Sequence, residues 1–261
     1  MLFKGGKLQP SFFPNYSLPL KLQPNTVLMQ LFFQEDMSQN PFELGTEESK
    51  HLIKVLRKSV GDLVYFTDGR GGIFTCRIKE ISPKKTLLSI SDTQLIPKED
   101  YHIHLAIAPT KNQDRLEWMV EKITEIGCHE ITFLKTAHTE KAYLKLDRLE
   151  KKIISACKQS LKSWKPILNG QIDFDEFLPS PEFQDHQKFI AYVDGDNKAL
   201  HTQAQRASSY LVLIGPEGDF SQDEIQQAFA SGFSSCSLGK SRLRTETAGL
   251  VAVHTLNLIN Q

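Results

Sequence analysis

One stretch, residues 211–249 (LVLIGPEGDFSQDEIQQAFASGFSSCSLGKSRLRTETAG), constrains the fold more than any other part of the chain. It is entered through the apolar run 210–214, which reads as a buried strand. The run breaks at Gly215-Pro216-Glu217-Gly218-Asp219, where glycine and proline force a tight turn at the strand's carboxyl end. A helix follows. Ser221 is its N-cap, Asp223 and Glu224 sit where the helix dipole favours anions, and Ile225, Ala228 and Phe229 share one face. Gly232 ends it. Residues 234–238 read as a second short strand opening into the loop 239–245. Residues 246–259 read as a helix, with Ala248, Val251, Ala252, Thr255 and Ile259 at helical spacing.

Two consecutive strand ends therefore carry glycine-containing loops. In open α/β sheets ligands bind at the carboxyl ends of strands, and glycine lets backbone and ligand come close. Either loop alone reads equally well as an ordinary strand–helix turn. The second differs because Lys240, Arg242 and Arg244 fall within five residues with no acid among them, at a helix start that favours anions. An anionic partner accounts for them.

The pair LIGPEGDFSQDEI and LGKSRLRTETAG resembles the RsmE family of RNA methyltransferases, of the knotted, S-adenosylmethionine-dependent SPOUT class. The family pattern is close to LIGPEGGFS..E followed by LG..LRTETA. The resemblance implies an α/β fold: a SPOUT-type trefoil-knotted, mainly parallel sheet with flanking helices, behind a small PUA-like β-barrel domain. Periodicity shows no knot, and general topology rules argue against one.

Composition sets the frame for the rest. The 31 Lys and Arg balance 31 Asp and Glu, so a nucleic-acid surface must come from uneven distribution. The cysteines, Cys76, Cys128, Cys157 and Cys236, stand apart with no CxxC, which argues against zinc and disulfides and fits a cytoplasmic protein. No apolar run is long enough for a membrane span. GxSxG, HExxH and Walker A motifs are absent.

Residues 1–28 carry Lys4, Lys7 and Lys21, no acid and four prolines, and read as an N-terminal extension of unknown role, with an ordered arm as the alternative. Residues 29–98 read as the barrel domain. Its strands are 27–33, 62–67, 73–81 and 86–96, with a helix capped by Thr46 and running to about residue 59, facing Leu52, Val55 and Leu56 inward. Between Lys50 and Lys85, nine Lys or Arg oppose only Asp62, Asp68 and Glu80. This is either a solvated basic face or a phosphate-contacting surface. His51 and Arg57 in HLIKVLR, and Asp68-Gly-Arg-Gly-Gly72, resemble the family and favour RNA contact through Lys50, His51, Lys54, Arg57 and Arg70, with Arg242 joining from the second loop.

Residues 99–261 form the methyltransferase domain in this reading. His102 and His104 share one strand face, but no third metal ligand stands near. Residues 112–127 form an amphipathic helix with Leu116, Met119, Val120, Ile123 and Ile126 as its apolar stripe. Its residues Lys111, Arg115, Glu117, Lys122, Glu125 and Gly127 resemble the family's K..R.E....K..E.G pattern. Residues 144–163 form a long helix, with Leu146, Leu149, Ile153, Cys157 and Leu161 inward. Trp164 reads as packing rather than as a base platform. Residues 173–187 read as a surface excursion. The strand 188–193 ends in Asp194-Gly195-Asp196, a third ligand-permissive loop.

The resemblance implies methyl transfer from S-adenosylmethionine, with no metal, to N3 of a uridine in 16S ribosomal RNA of the small subunit. It also implies a homodimer. The cofactor is then expected against Val193, Ile214, Gly215, Gly218, Leu238, Gly239, Leu243 and Thr245. Arg244 is the expected catalytic group, stabilising negative charge on uracil O2 or O4. Glu246 either orients Arg244 or acts as general base; the first is favoured, since an acid beside an arginine makes a weaker base. Two departures stand out. Asp219 occupies a family glycine position, and Gln30-Leu31 precede Phe32-Phe33 where the family carries an arginine. Rival readings are methylation of another RNA position or a ribose 2′-hydroxyl, and a non-catalytic RNA-binding assembly factor.

Overall fold

The computed structural model describes residues 30–140, 144–192 and 197–261. Readings of residues 1–28, Val193 and the 194–196 loop lie outside the described residues. The remainder forms two sheets. The first has five strands, β1 (Leu31–Phe33), β2 (Phe42–Leu44), β3 (Leu63–Thr67), β4 (Gly72–Ile81) and β5 (Thr86–Leu95), in the order β1-β3-β4-β5-β2, with helix α1 (Thr46–Lys54). β1 runs parallel to β3 and every other pair is antiparallel. Two register shifts bend the β4–β5 ladder. Both edge strands can then deliver Phe32, Phe42 and Leu44 to one core with Phe66, Cys76, Ile78 and Leu88.

The second sheet holds β6 (His102–Ile107), β7 (Glu130–Lys135), β8 (Ile167–Asp173), β9 (Gln187–Ala191), β10 (Ser209–Ile214) and β11 (Ser234–Cys236). Its order is β11-β9-β10-β6-β7-β8, and every pair is parallel. Parallel strands covered on both faces need apolar side chains on both sides, which is why 210–214 shows no alternation. Tyr210, Val212 and Ile214, with Ile103, Leu105 and Ile107, face α2 (Gln113–Ile126), α3 (Leu146–Ser160) and α7 (Thr245–Asn260). Leu211, Leu213, Ala106 and Leu134 face α4 (Phe174–Phe177) and α6 (Gln222–Ala230). A further turn of helix, α5 (Leu200–Gln203), follows β9. Each fully buried Leu, Ile or Phe contributes on the order of 2 kcal/mol.

Several sequence expectations are corrected. Residues 173–187 are not a surface excursion. Phe174, Phe177, Leu178 and Phe183 are buried against the sheet, and the acids between them point outward. β8 was hidden by Asn169-Gly170, which sits at a register irregularity opposite β7. β2 was missed because three residues carry too little periodicity. Thr46 does not cap α1: Gly45 holds the cap position, and the Thr46 hydroxyl donates to the Lys84 carbonyl. That helix stops at Lys54, leaving Val55 63% exposed. Phe229, Leu146 and Leu161 are also exposed.

The loop Asp68-Gly-Arg-Gly-Gly72 ties the two sheets together. Gly71 N–H and the Thr67 hydroxyl donate to the Ser163 carbonyl at 2.9 and 3.2 Å. Lys165 N–H donates to Gly69 O. Trp164 packs on Gly71, donates its indole N–H to Ile96 O at 3.0 Å, and lies under the Lys98 ammonium. It is a packing residue, as read from the sequence.

His102 and His104 do share a face. His104 is buried against Phe177 and Phe183, with Nε2 at 2.8 Å from the Thr132 hydroxyl. Burial pushes the His104 imidazole down to about 3 and that of His102 to about 4. A histidine depressed in the folded state leaves stability intact above its unfolded value near 6.5, and stability is lost as pH falls below that. Between pH 6.5 and 5 the expected loss from His104 is about 2 kcal/mol. Burial raises Glu130, which works in the opposite direction. Comparing thermal unfolding of wild type and His104→Gln across this range isolates the histidine, and an unchanged pH slope in the variant contradicts the assignment. Among the described residues no group of three or more His, Cys, Asp or Glu is arranged to hold a metal, and no helix is long and apolar enough to cross a membrane.

Candidate active site

Because the second sheet is parallel, the loops after β6, β7, β9, β10 and β11 all emerge at one edge. β10 and β11 both flank β9, so the two motif loops lie either side of its end. After β10, Asp219 N–H donates to Pro216 O, closing the turn. Ser221 caps α6 through a complete capping box with Glu224. Glu224 is buried and also accepts from Ala137 N–H at 2.7 Å, which ties the β7 loop to the β10 loop. His138 Nδ1–H donates to Asp219 O at 2.9 Å. In front of these loops Lys111 pairs with Glu140, whose carboxylate raises the ammonium above its ordinary range.

Asp219 has φ +62°, a left-handed conformation that suits glycine and is tolerated by aspartate. Its Oδ1 accepts from Phe220 N–H at 2.8 Å. Asp219→Gly is therefore expected to change stability by less than about 1 kcal/mol. Asp219→Val costs about 2 kcal/mol, since a β-branched side chain is strained there. Thermal denaturation separates them, and equal costs would show that φ does not select this residue.

After β11, Gly239 adopts φ +134°, and a Cβ built on it would meet nothing within 4 Å. The loop thus bends at an exposed residue whose left-handed backbone suits glycine and leaves room for a ligand to approach the main chain. Arg244 is the N-cap residue of α7, and its carbonyl accepts from Ala248 N–H. Thr245 is the first helical residue and is buried, as is Glu246. The Glu246 carboxylate lies 3.7 Å from Arg115 Nε on α2. Its ion pair is with Arg115 and not with Arg244, because the α7 N-terminus packs against that of α2.

A cleft of about 630 Å³ opens here, lined by Asn112, Asp114, Arg115, Trp118, Arg242, Leu243, Arg244, Glu246 and Thr247. It gathers Arg242, Leu243, Arg244 and Glu246, four residues of the RLRTET segment that were singled out in the sequence. Ile214 and Gly215 are buried at the end of β10, while Gly218 and Gly239 are exposed and Leu238 is half-buried. Lys50, Lys54, Arg57 and Arg70 lie apart, exposed on the first sheet's unit. Arg70 pairs there with Glu35 at 3.2 Å. His51 is held by Gln30 at 2.8 Å and by the edge of Phe32. Arg115 and Trp118 went unassigned as site residues. Their i, i+3 spacing on the polar side of α2 was the available signal.

Comparison with known proteins agrees with this architecture. A family model for an RNA methyltransferase domain matches residues 97–257, and one for an RNA methyltransferase PUA domain matches residues 44–91. A crystal structure described as a probable rRNA-methyltransferase from Porphyromonas gingivalis is 38% identical, with TM-score 0.84 over 89% of this chain and 98% of that one. Ribosomal RNA small subunit methyltransferase E from Neisseria gonorrhoeae, solved bound to S-adenosyl methionine, is 26% identical with TM-score 0.77 over 89% and 98%. The protein of the same name from Buchnera aphidicola is 29% identical over 89% of this chain and 94% of its own length. With a two-faced parallel sheet, glycine loops at its carboxyl edge and family matches over both units, the chain belongs to the RNA methyltransferase family and carries its PUA domain.

Proposed function

We propose that the chain transfers the methyl group of S-adenosylmethionine to N3 of a specific uridine in 16S ribosomal RNA of the small subunit. The observation that carries the reading is the juxtaposition, at one sheet edge, of the open Gly239 bend with an exposed Arg244 and a buried, paired Glu246. Ile214, Gly215, Gly218, Leu238, Gly239, Leu243 and Thr245 would hold the cofactor, with Val193 joining from outside the described residues. When bound, it supplies an electrophilic methyl group.

The protein's own residues must then make N3 nucleophilic. N3 of uracil carries a proton, and its loss places negative charge on O2 and O4. Arg244 is free to meet those oxygens, because the fold uses its backbone and leaves its guanidinium exposed. Glu246 acts as a positioning residue: pairing with Arg115 pins the first turn of α7 and so aims its neighbour Arg244. The cysteines support nitrogen over carbon as the target. Methylation at C5 of a pyrimidine needs a nucleophile to add at C6. All four thiols are buried, which pushes them up to about 11 or 12.

We place the domain boundary between residues 98 and 99, with residues 1–28 as an extension. The basic side chains of the N-terminal domain, Lys50, His51, Lys54, Arg57 and Arg70, then serve as its RNA surface. A knotted SPOUT topology, a homodimer, an assembled small subunit as substrate and a cytoplasmic location complete the reading. Exposed Leu258 and half-buried Val251 on α7 support the dimer.

The test is to incubate the protein with labelled S-adenosylmethionine and small ribosomal subunits lacking the modification, then digest the RNA. Label in 3-methyluridine supports the assignment. Label in another base or in a 2′-O-methyl nucleoside sinks the N3 assignment, and absence of cofactor binding by calorimetry favours a non-catalytic assembly factor.

A further inference from the structure

Trp118 is one of only two tryptophans in the chain, and the fold does not account for its position. Its neighbours on α2, Leu116, Glu117, Met119 and Val120, are all buried, whereas Trp118 is 43% exposed. It lines the cleft that also holds Arg242, Arg244 and Glu246. Arg115, one turn back on the same helix, is held at the cleft by Glu246. The lining carries three arginines against two acids, and the Arg115–Glu246 pair leaves Arg242 and Arg244 against Asp114.

An indole face beside cations, in a cleft sized for a small ligand, matches how proteins hold an unstacked base: the ring stacks while arginines meet phosphate and base oxygens. A Watson–Crick edge atom of a uridine must be exposed before it can react, so an extruded base needs a surface to replace the stacking it has lost. We propose that Trp118 is the platform on which the target base stacks within the Arg115–Arg242–Arg244 cleft, a substrate-binding role that rests on the reading of the chain as a base methyltransferase. A second copy of the chain carries no net charge, its 31 Lys and Arg balancing 31 Asp and Glu, so the cationic lining favours a polyanion over a contact between copies.

Full-length wild type, Trp118→Ala and Trp118→Phe are titrated with a short single-stranded uridine-containing RNA. Wild-type tryptophan emission is expected to be quenched saturably. Trp118→Phe loses the quench, because Trp164 is then the sole indole, yet keeps RNA affinity within a few-fold. Trp118→Ala weakens RNA affinity on the order of 5- to 150-fold, the equivalent of one base stack, with cofactor affinity by calorimetry unchanged. Unchanged RNA affinity in Trp118→Ala, while the wild type methylates RNA, overturns the platform and leaves the functional reading standing. A dimer that dissociates in Trp118→Ala at unchanged RNA affinity also overturns it, in favour of a contact between copies. A wild type that binds cofactor but modifies no base removes the functional reading, and the platform with it.

Discussion

Arg244→Ala is expected to lower the rate of methyl transfer about 10²- to 10³-fold, the loss typical of removing one donor aimed at developing charge. Cofactor affinity should stay near wild type, since the cofactor set relies on backbone around Gly215 and Gly239. The fold should also survive. Arg244 begins α7 through its carbonyl, which alanine keeps, and the side chain is exposed, so the stability change stays within about 0.5 kcal/mol. Arg244→Lys retains charge but loses the planar fork, and should recover only part of the rate. Single-turnover methylation with saturating RNA is the measurement. A rate within twofold of wild type in the alanine variant would remove Arg244 from the chemistry and shift attention to Arg115 and Arg242.

The second large effect concerns how the two units are joined. Gly71 has φ +95°, and a Cβ there would lie 2.5 and 2.7 Å from Trp164 ring atoms and 2.9 Å from the Ile96 carbonyl. Gly61 has nearly the same φ, +94°, with nothing within 4 Å. The pair separates two costs. Gly61→Ala should cost only the left-handed strain, about 1–2 kcal/mol. Gly71→Ala adds a clash with an immobile ring and a backbone oxygen, for about 3 kcal/mol or more in total. Because Gly71 N–H also donates to Ser163 O, the added cost should fall on the seam between the sheets, and calorimetry should show the first sheet's unit melting earlier. Trp164→Ala should bring the cost of Gly71→Ala down toward that of Gly61→Ala. Equal costs for the two glycine variants in the wild-type background would mean that the seam yields without strain.

The same seam shows what was legible in the sequence. The glycines of Asp68-Gly-Arg-Gly-Gly72 were visible, and Trp164 read as packing. That each explains the other was not, because nearly 100 residues separate them and no periodicity links residues across two sheets. Residues 173–187 illustrate a different blindness. Their acids and prolines outnumber the four apolar side chains that matter, and composition averages over direction.

The sequence by itself determined the elements that local physics controls. The buried strand 210–214 followed from an unbroken apolar run, and α6 from an N-cap serine with acids in its first turn. The candidate site followed from cations crowded beside glycine at a strand end. Only the tertiary structure decided which groups face one another. Glu246 reads as a partner of adjacent Arg244, yet it pairs with Arg115, 131 positions earlier in the numbering. Packing α7 against α2 brings their N-termini together and turns the Glu246 carboxylate away from its neighbour. Adjacency along a chain fixes which residues share a turn, but side-chain direction depends on what the helix packs against. Trp118 entered the cleft for the same reason: α2 committed its apolar stripe to the sheet and left the opposite face, with one indole, beside the arginines.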